Sequence, residues 1–150
     1  MSIHRRWAAG MVAALALVGA MAQAEERPPV ADKVVAYAGE QGVKVWTLRI
    51  GERSANEALV QVEGVDHDWN MRIQKMKVEK TDKLTRYYTT VDGQKFAALV
   101  IQGSDSWSAS ELYLPGEAQA LKIGYSQALS EQGNAQAFLT DYLKTAPSKP

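Results

Sequence analysis

The 150-residue chain contains no cysteine. Cys-ligated zinc, iron–sulfur clusters, attached c-type haem, thiol proteolysis, thiol redox exchange and every disulfide are excluded together. Net charge is also lacking, because 17 Lys and Arg stand against 17 Asp and Glu. A strongly basic nucleic-acid binder is therefore disfavoured, and nucleic acid is not expected as a partner. There is no long Gly/Ser/Pro linker, no low-complexity stretch and no internal repeat. With 46% apolar and 23% charged residues, the chain has the composition and length of one ordinary globular domain.

What is present begins with an address. His4, Arg5 and Arg6 precede an apolar run from Trp7 to Ala22, and Ala22, Gln23 and Ala24 close the segment. This is the layout of a secretory signal peptide, expected to be cleaved after residue 24. The run has 16 positions, fewer than the roughly 20 apolar residues a spanning helix needs, so no integral membrane segment is expected after processing. A lipid anchor at the cleavage site would need a cysteine. The expected destination is the bacterial periplasm, as a soluble protein. Cleavage leaves 126 residues with 15 basic and 17 acidic side chains, a net charge of −2.

The mature chain divides into a leader, residues 25–29 with Pro28 and Pro29, expected to be extended and mobile; one β-rich domain, 30–145; and a disordered tail, 146–150, with Pro147 and Pro150. Most of the domain has a two-residue period. Val43 to Ile50 reads as a strand buried on both faces, and Lys33 to Ala38 fits either its hairpin partner or a helical turn. Glu57 to Glu63 alternates cleanly and ends at Gly64. In Met71 to Lys80 the apolar positions change parity, from Met71 and Ile73 to Met76 and Val78. Either a β-bulge near Gln74 and Lys75 or a passage between two packing environments would account for that. Leu84 to Val91 and Gln94 to Gln102 flank Asp92 and Gly93, a pair suited to a type I′ hairpin turn. Trp107 to Leu114 and Ala120 to Tyr125 complete the strands around the turn pair Pro115 and Gly116.

The period then changes. Ala135, Phe138, Leu139, Tyr142 and Leu143 recur at helical spacing, with Asn134 as N-cap and Lys144 at the C-terminal dipole. A shorter helical turn, Ser126 to Glu131, leads into it and breaks at Gly133. The expected fold is mainly β: an antiparallel meander of about seven strands, forming a small barrel or sandwich, with one C-terminal amphipathic helix laid on a sheet face or over the open end of the barrel.

Catalytic patterns are weak. Ser126, in Gly124-Tyr125-Ser126-Gln127-Ala128, superficially resembles a serine elbow, but no histidine follows it and an N-cap explains it better. His67 is the sole histidine of the mature chain, flanked by Asp66 and Asp68. In an extended segment those acids project away from it, so a polar loop is preferred to a metal site, and neither metal nor cofactor is assigned. No spacing singles out a pair of carboxylates for glycoside cleavage.

Two candidate binding surfaces remain. Arg72, Lys75, Lys77, Lys80, Lys83 and Arg86 place six of 15 mature basic residues within fifteen positions, a ribbon able to dock an acidic surface or to protect a sheet edge. Trp69 and Trp107 sit beside polar loop segments and, with Asp66, His67 and Asp68, would form an aromatic, acidic rim if those loops share one end. The function expected is a non-catalytic, exported envelope protein, inhibitor-like or accessory in role, that docks an envelope protein or polysaccharide. One alternative is a carrier holding a small apolar ligand inside a barrel. The other is an envelope hydrolase using carboxylates or a metal.

Overall fold

A computed structural model describes residues 27–103 and 110–145. Eight strands follow in order: β1 Val35–Gly39, β2 Lys44–Ile50, β3 Glu57–Glu63, β4 Ile73–Lys80, β5 Leu84–Val91, β6 Gln94–Gln102, β7 Ser110–Leu112 and β8 Leu121–Tyr125. Each pairs antiparallel with the next, and β8 returns to β1 through Tyr37 opposite Tyr125 and Gly39 opposite Ile123. The meander is thus a closed barrel. Closure gives each strand a neighbour on both sides, while Ile73–Met76 of β4 run on beyond its ladder with β5 and Gln94–Ala97 of β6 beyond its ladder with β7. The segment that fits either a strand or a helical turn is β1, and it pairs with β2.

Local chemistry sets the turns. Asp92 and Gly93 both have positive φ, at 52° and 78°, and Val91 lies opposite Gln94, so the β5–β6 hairpin has the expected tight turn. At the closing seam β8 comes so close to Gly39 that a Cβ there would meet the Lys122 carbonyl oxygen.

An interior eight strands wide is narrow enough for side chains to fill, or wide enough for one small ligand. Tyr37, Val43, Val45, Val60, Val62, Met76, Val78, Tyr87, Leu99, Leu112 and Ile123 fill it. The parity change in β4 has its cause here. No bulge lies at Gln74 and Lys75, because β3 and β4 pair in unbroken register from Glu57–Lys77 to Gln61–Ile73. Met76 and Val78 face the interior, whereas Ile73 faces outward beneath a helix, so the strand passes between two packing environments. The register shift sits instead between β5 and β6, where Tyr87 faces Leu99 and Tyr88 faces Ala97. Ala98 is the extra residue, and both it and Leu99 are fully buried.

Two helices end the domain, α1 Gln127–Gln132 and α2 Ala135–Thr145. Ser126 caps α1 by accepting from the Leu129 amide at 3.2 Å, and Asn134 caps α2 by accepting from Ala137 at 2.9 Å. Of the two sites anticipated for the long helix, α2 takes the sheet face. Phe138 and Leu139 pack outside the barrel against Val34, Leu48, Ile50 and Leu59. The leader is fastened from Arg27 onward: its guanidinium bonds Gln136 and Thr140 of α2, and Pro29 accepts from Gly51 at 2.8 Å. The anticipated export segment and tail lie outside the described residues.

Candidate functional site

The β3–β4 loop does not present the rim that its tryptophan suggests. Trp69 is 6% exposed and closes one end of the barrel, its ring meeting Phe96 edge to face at 5.9 Å. His67 stands against it, at 5.9 Å between rings. Its Nδ1 accepts from the Trp69 amide at 3.0 Å, which makes Nε2 the protonated nitrogen, donating to the Pro115 carbonyl at 2.8 Å. Both ring nitrogens are therefore engaged, Nε2 fastening the β3–β4 loop to the β7–β8 loop and Nδ1 holding the β3–β4 loop's own backbone. Asp66 and Asp68 are exposed, and Asp66 lines an acidic groove together with Glu40 and Glu117. Trp107 lies outside the described residues.

The basic ribbon is broken up by its neighbours. Lys75 and Lys77 share the outer face of β4, but Lys77 pairs with Glu57 at 3.1 Å. Arg86 sits opposite Glu79, and Glu79 pairs with Lys95 at 2.9 Å. That hydrogen bond from Lys95 holds the Glu79 carboxyl below the ordinary glutamate range and raises Lys95 in return. Lys95 also lies 4.1 Å above the Tyr88 ring, so Tyr88 faces outward as Tyr87 faces in. Lys80 is at the far end of β4, in a groove with Arg49 and Arg53, and Lys83 lies in the β4–β5 turn.

Two further cations of the ribbon lie where the β3–β4 loop enters β4. Arg72 and Lys75 line an open groove of about 780 Å³ between β4 and the C-terminal half of α2, facing Lys144 and Tyr142. Among the described residues none of these three cations forms a salt bridge, and Asp141 is the groove's single carboxylate. Met71 stands on its rim, 55% exposed. The sequence pattern flagged Arg72 and Lys75 but not their partners. Lys144 reads as a helix-dipole cation and Met71 as the first apolar residue of a strand. The parity change does not single out Met71, because Met71 shares the parity of Ile73 and lies just before β4 begins.

Among the described residues, the groove's lining holds the Asp141 carboxylate and the Tyr142 phenol and no histidine. Burial raises Tyr37 and Tyr87 above the ordinary phenol range, with Thr47 and Arg49 partly offsetting it at Tyr87. A hydrogen bond to Glu111 raises Tyr113. Among the described residues no group of three His, Asp or Glu side chains is gathered as a metal would require, and no helix is long and apolar enough to cross a membrane. Comparison of the chain with protein-family models, curated proteins and solved structures finds no significant match.

Proposed function

We propose that this protein is an exported, non-catalytic docking domain of the bacterial envelope that binds an acidic macromolecule through the groove between β4 and α2. The observation that carries this reading is the convergence of Arg72, Lys75 and Lys144, without an ion pair among the described residues, beside the exposed Met71. Complementary charge would steer association and set register more than it would add raw affinity. The compartment rests on the export pattern of residues 1–24.

The two rival readings have less support. A carrier needs interior space, whereas Val45, Leu99, Leu112 and Ile123 are essentially fully buried inside the barrel. A hydrolase needs an acid held protonated or an open metal ligand. His67 has both nitrogens in hydrogen bonds, and among the described residues no three His, Asp or Glu side chains are gathered as a metal would require.

The test is chemical cross-linking in periplasmic extract of the native host at low ionic strength, where surface charge is least screened. A specific partner should be recovered by the wild type and by the control Lys80→Glu/Lys83→Glu. It should be lost from Arg72→Glu/Lys75→Glu/Lys144→Glu. Recovery that is indifferent to the triple reversal would remove the groove from consideration. A small apolar molecule retained in native mass spectrometry would bring back the carrier.

A further inference from the structure

Met71 is held in a conformation that its side chain does not favour. It has φ 66°, in the left-handed region that Gly and Asn occupy at least cost, and the other described non-glycine residues there are Gln41, Asn56 and Asp92. Its backbone is held there, the amide donating to the Val62 carbonyl at 2.7 Å and the carbonyl accepting from Gln61 Nε2 at 3.0 Å. The preceding residue locks the same loop, with Asn70 Oδ1 accepting from Gly64 at 2.8 Å and Val65 at 3.1 Å.

The side chain is no part of the core. It is 55% exposed and belongs to neither buried cluster. Glycine or asparagine would satisfy the same hydrogen bonds with less strain. A bulky apolar residue kept at a strained, exposed position points to a use outside folding. Methionine is flexible and polarizable, and suits adaptable contact surfaces.

Resting on the docking reading above, we propose that the groove's occupant is an acidic polypeptide segment that seats one apolar side chain against Met71, with Ile73 and Tyr142 in the same lining. The flanking Arg72, Lys75 and Lys144 receive its carboxylates. A polypeptide fits these contacts better than an anionic glycan. Sugar rings are held by stacking on open aromatic faces, and the groove's one aromatic ring, Tyr142, is half-buried against the helix–sheet cluster.

The test uses glutamate-rich peptides of about a dozen residues that differ only in a central Leu or Ser, with polygalacturonate as the glycan probe, read by fluorescence anisotropy at low salt. The wild type should bind the Leu peptide about fivefold or more tightly than the Ser peptide. Met71→Asn should erase that preference while leaving the melting temperature unchanged or higher, and Lys75→Glu/Lys144→Glu should abolish binding of both peptides. Equal binding of the two peptides by the wild type would overturn the apolar anchor while leaving the docking function intact. Polygalacturonate binding more tightly than either peptide and indifferent to Met71→Asn would replace the polypeptide with a glycan. A lowered melting temperature in Met71→Asn would make Met71 a structural residue, and no binding of any probe would overturn the proposal.

Discussion

His67 Nε2 donates to the carbonyl oxygen of Pro115 across 48 residues of chain, at 2.8 Å. This bond joins the loop that seals one end of the barrel to the turn before the last strand, and the imidazole also accepts from the Trp69 amide. Replacing His67 by Ala leaves the Pro115 carbonyl and the Trp69 amide without partners. The expected loss is about 1–3 kcal/mol in urea denaturation, with faster hydrogen exchange at Trp69 than at Leu99 in the core. Chelators should leave the melting temperature unchanged, because both ring nitrogens are already bonded.

Helix α2 is a structural wall as well as one side of the groove. Phe138 and Leu139 are buried against the outer faces of β2 and β3, so Phe138→Ala should cost about 3–5 kcal/mol. Equilibrium urea unfolding checks this, and a negligible loss would mean that α2 is a free arm.

At the seam where β1 meets β8 the backbones approach too closely for a side chain on Gly39. Gly39→Val should therefore destabilise by about 1–3 kcal/mol or more through overpacking against Lys122 and Ile123. Gly93 has open space around it and φ 78°. Gly93→Ala should lose only the left-handed strain, about 1 kcal/mol, so thermal melts should rank the two variants in that order.

Burial raises the Tyr37 phenol above its ordinary value. In the unfolded chain tyrosine loses its proton near pH 10, as the folded protein still holds it. The unfolded state then binds fewer protons, so stability is intact below that pH and falls as pH rises above it. The decline should steepen by up to about 1.4 kcal/mol per pH unit for each such tyrosine. Urea midpoints measured across the alkaline range should show a shallower decline in Tyr37→Phe. An unchanged slope would mean that Tyr37 ionises without constraint.

Much of the architecture is legible in the chain because the signals are local. The Asp92-Gly93 turn, the caps at Ser126 and Asn134 and the strand Glu57–Glu63 each depend on neighbours a few residues away and are found where that local chemistry puts them, although Leu59 is buried too, in the outer cluster with Phe138, so burial along the strand does not alternate. The β6 irregularity is illegible for an equally physical reason. Ala97 to Ile101 is apolar throughout, so inserting Ala98 leaves no break in pattern. The β4 parity change is visible, but its choice between bulge and change of wall depends on α2, some sixty residues away.

The candidate surfaces divide in the same way. Lys77 and Glu79 belong to a run of charge until Glu57 and Lys95 neutralise them from adjacent strands. Trp69 looks like a loop aromatic until the barrel end closes over it. By itself the chain determines a mainly β domain with a C-terminal amphipathic helix, because period, turn residues and caps act over short range. Only the tertiary structure decides that the sheet closes on itself, that α2 lies on its outer wall, and that Lys144 comes to face Arg72 and Lys75. Those relationships join residues far apart in sequence, and their energy exists only once the barrel has brought them into contact.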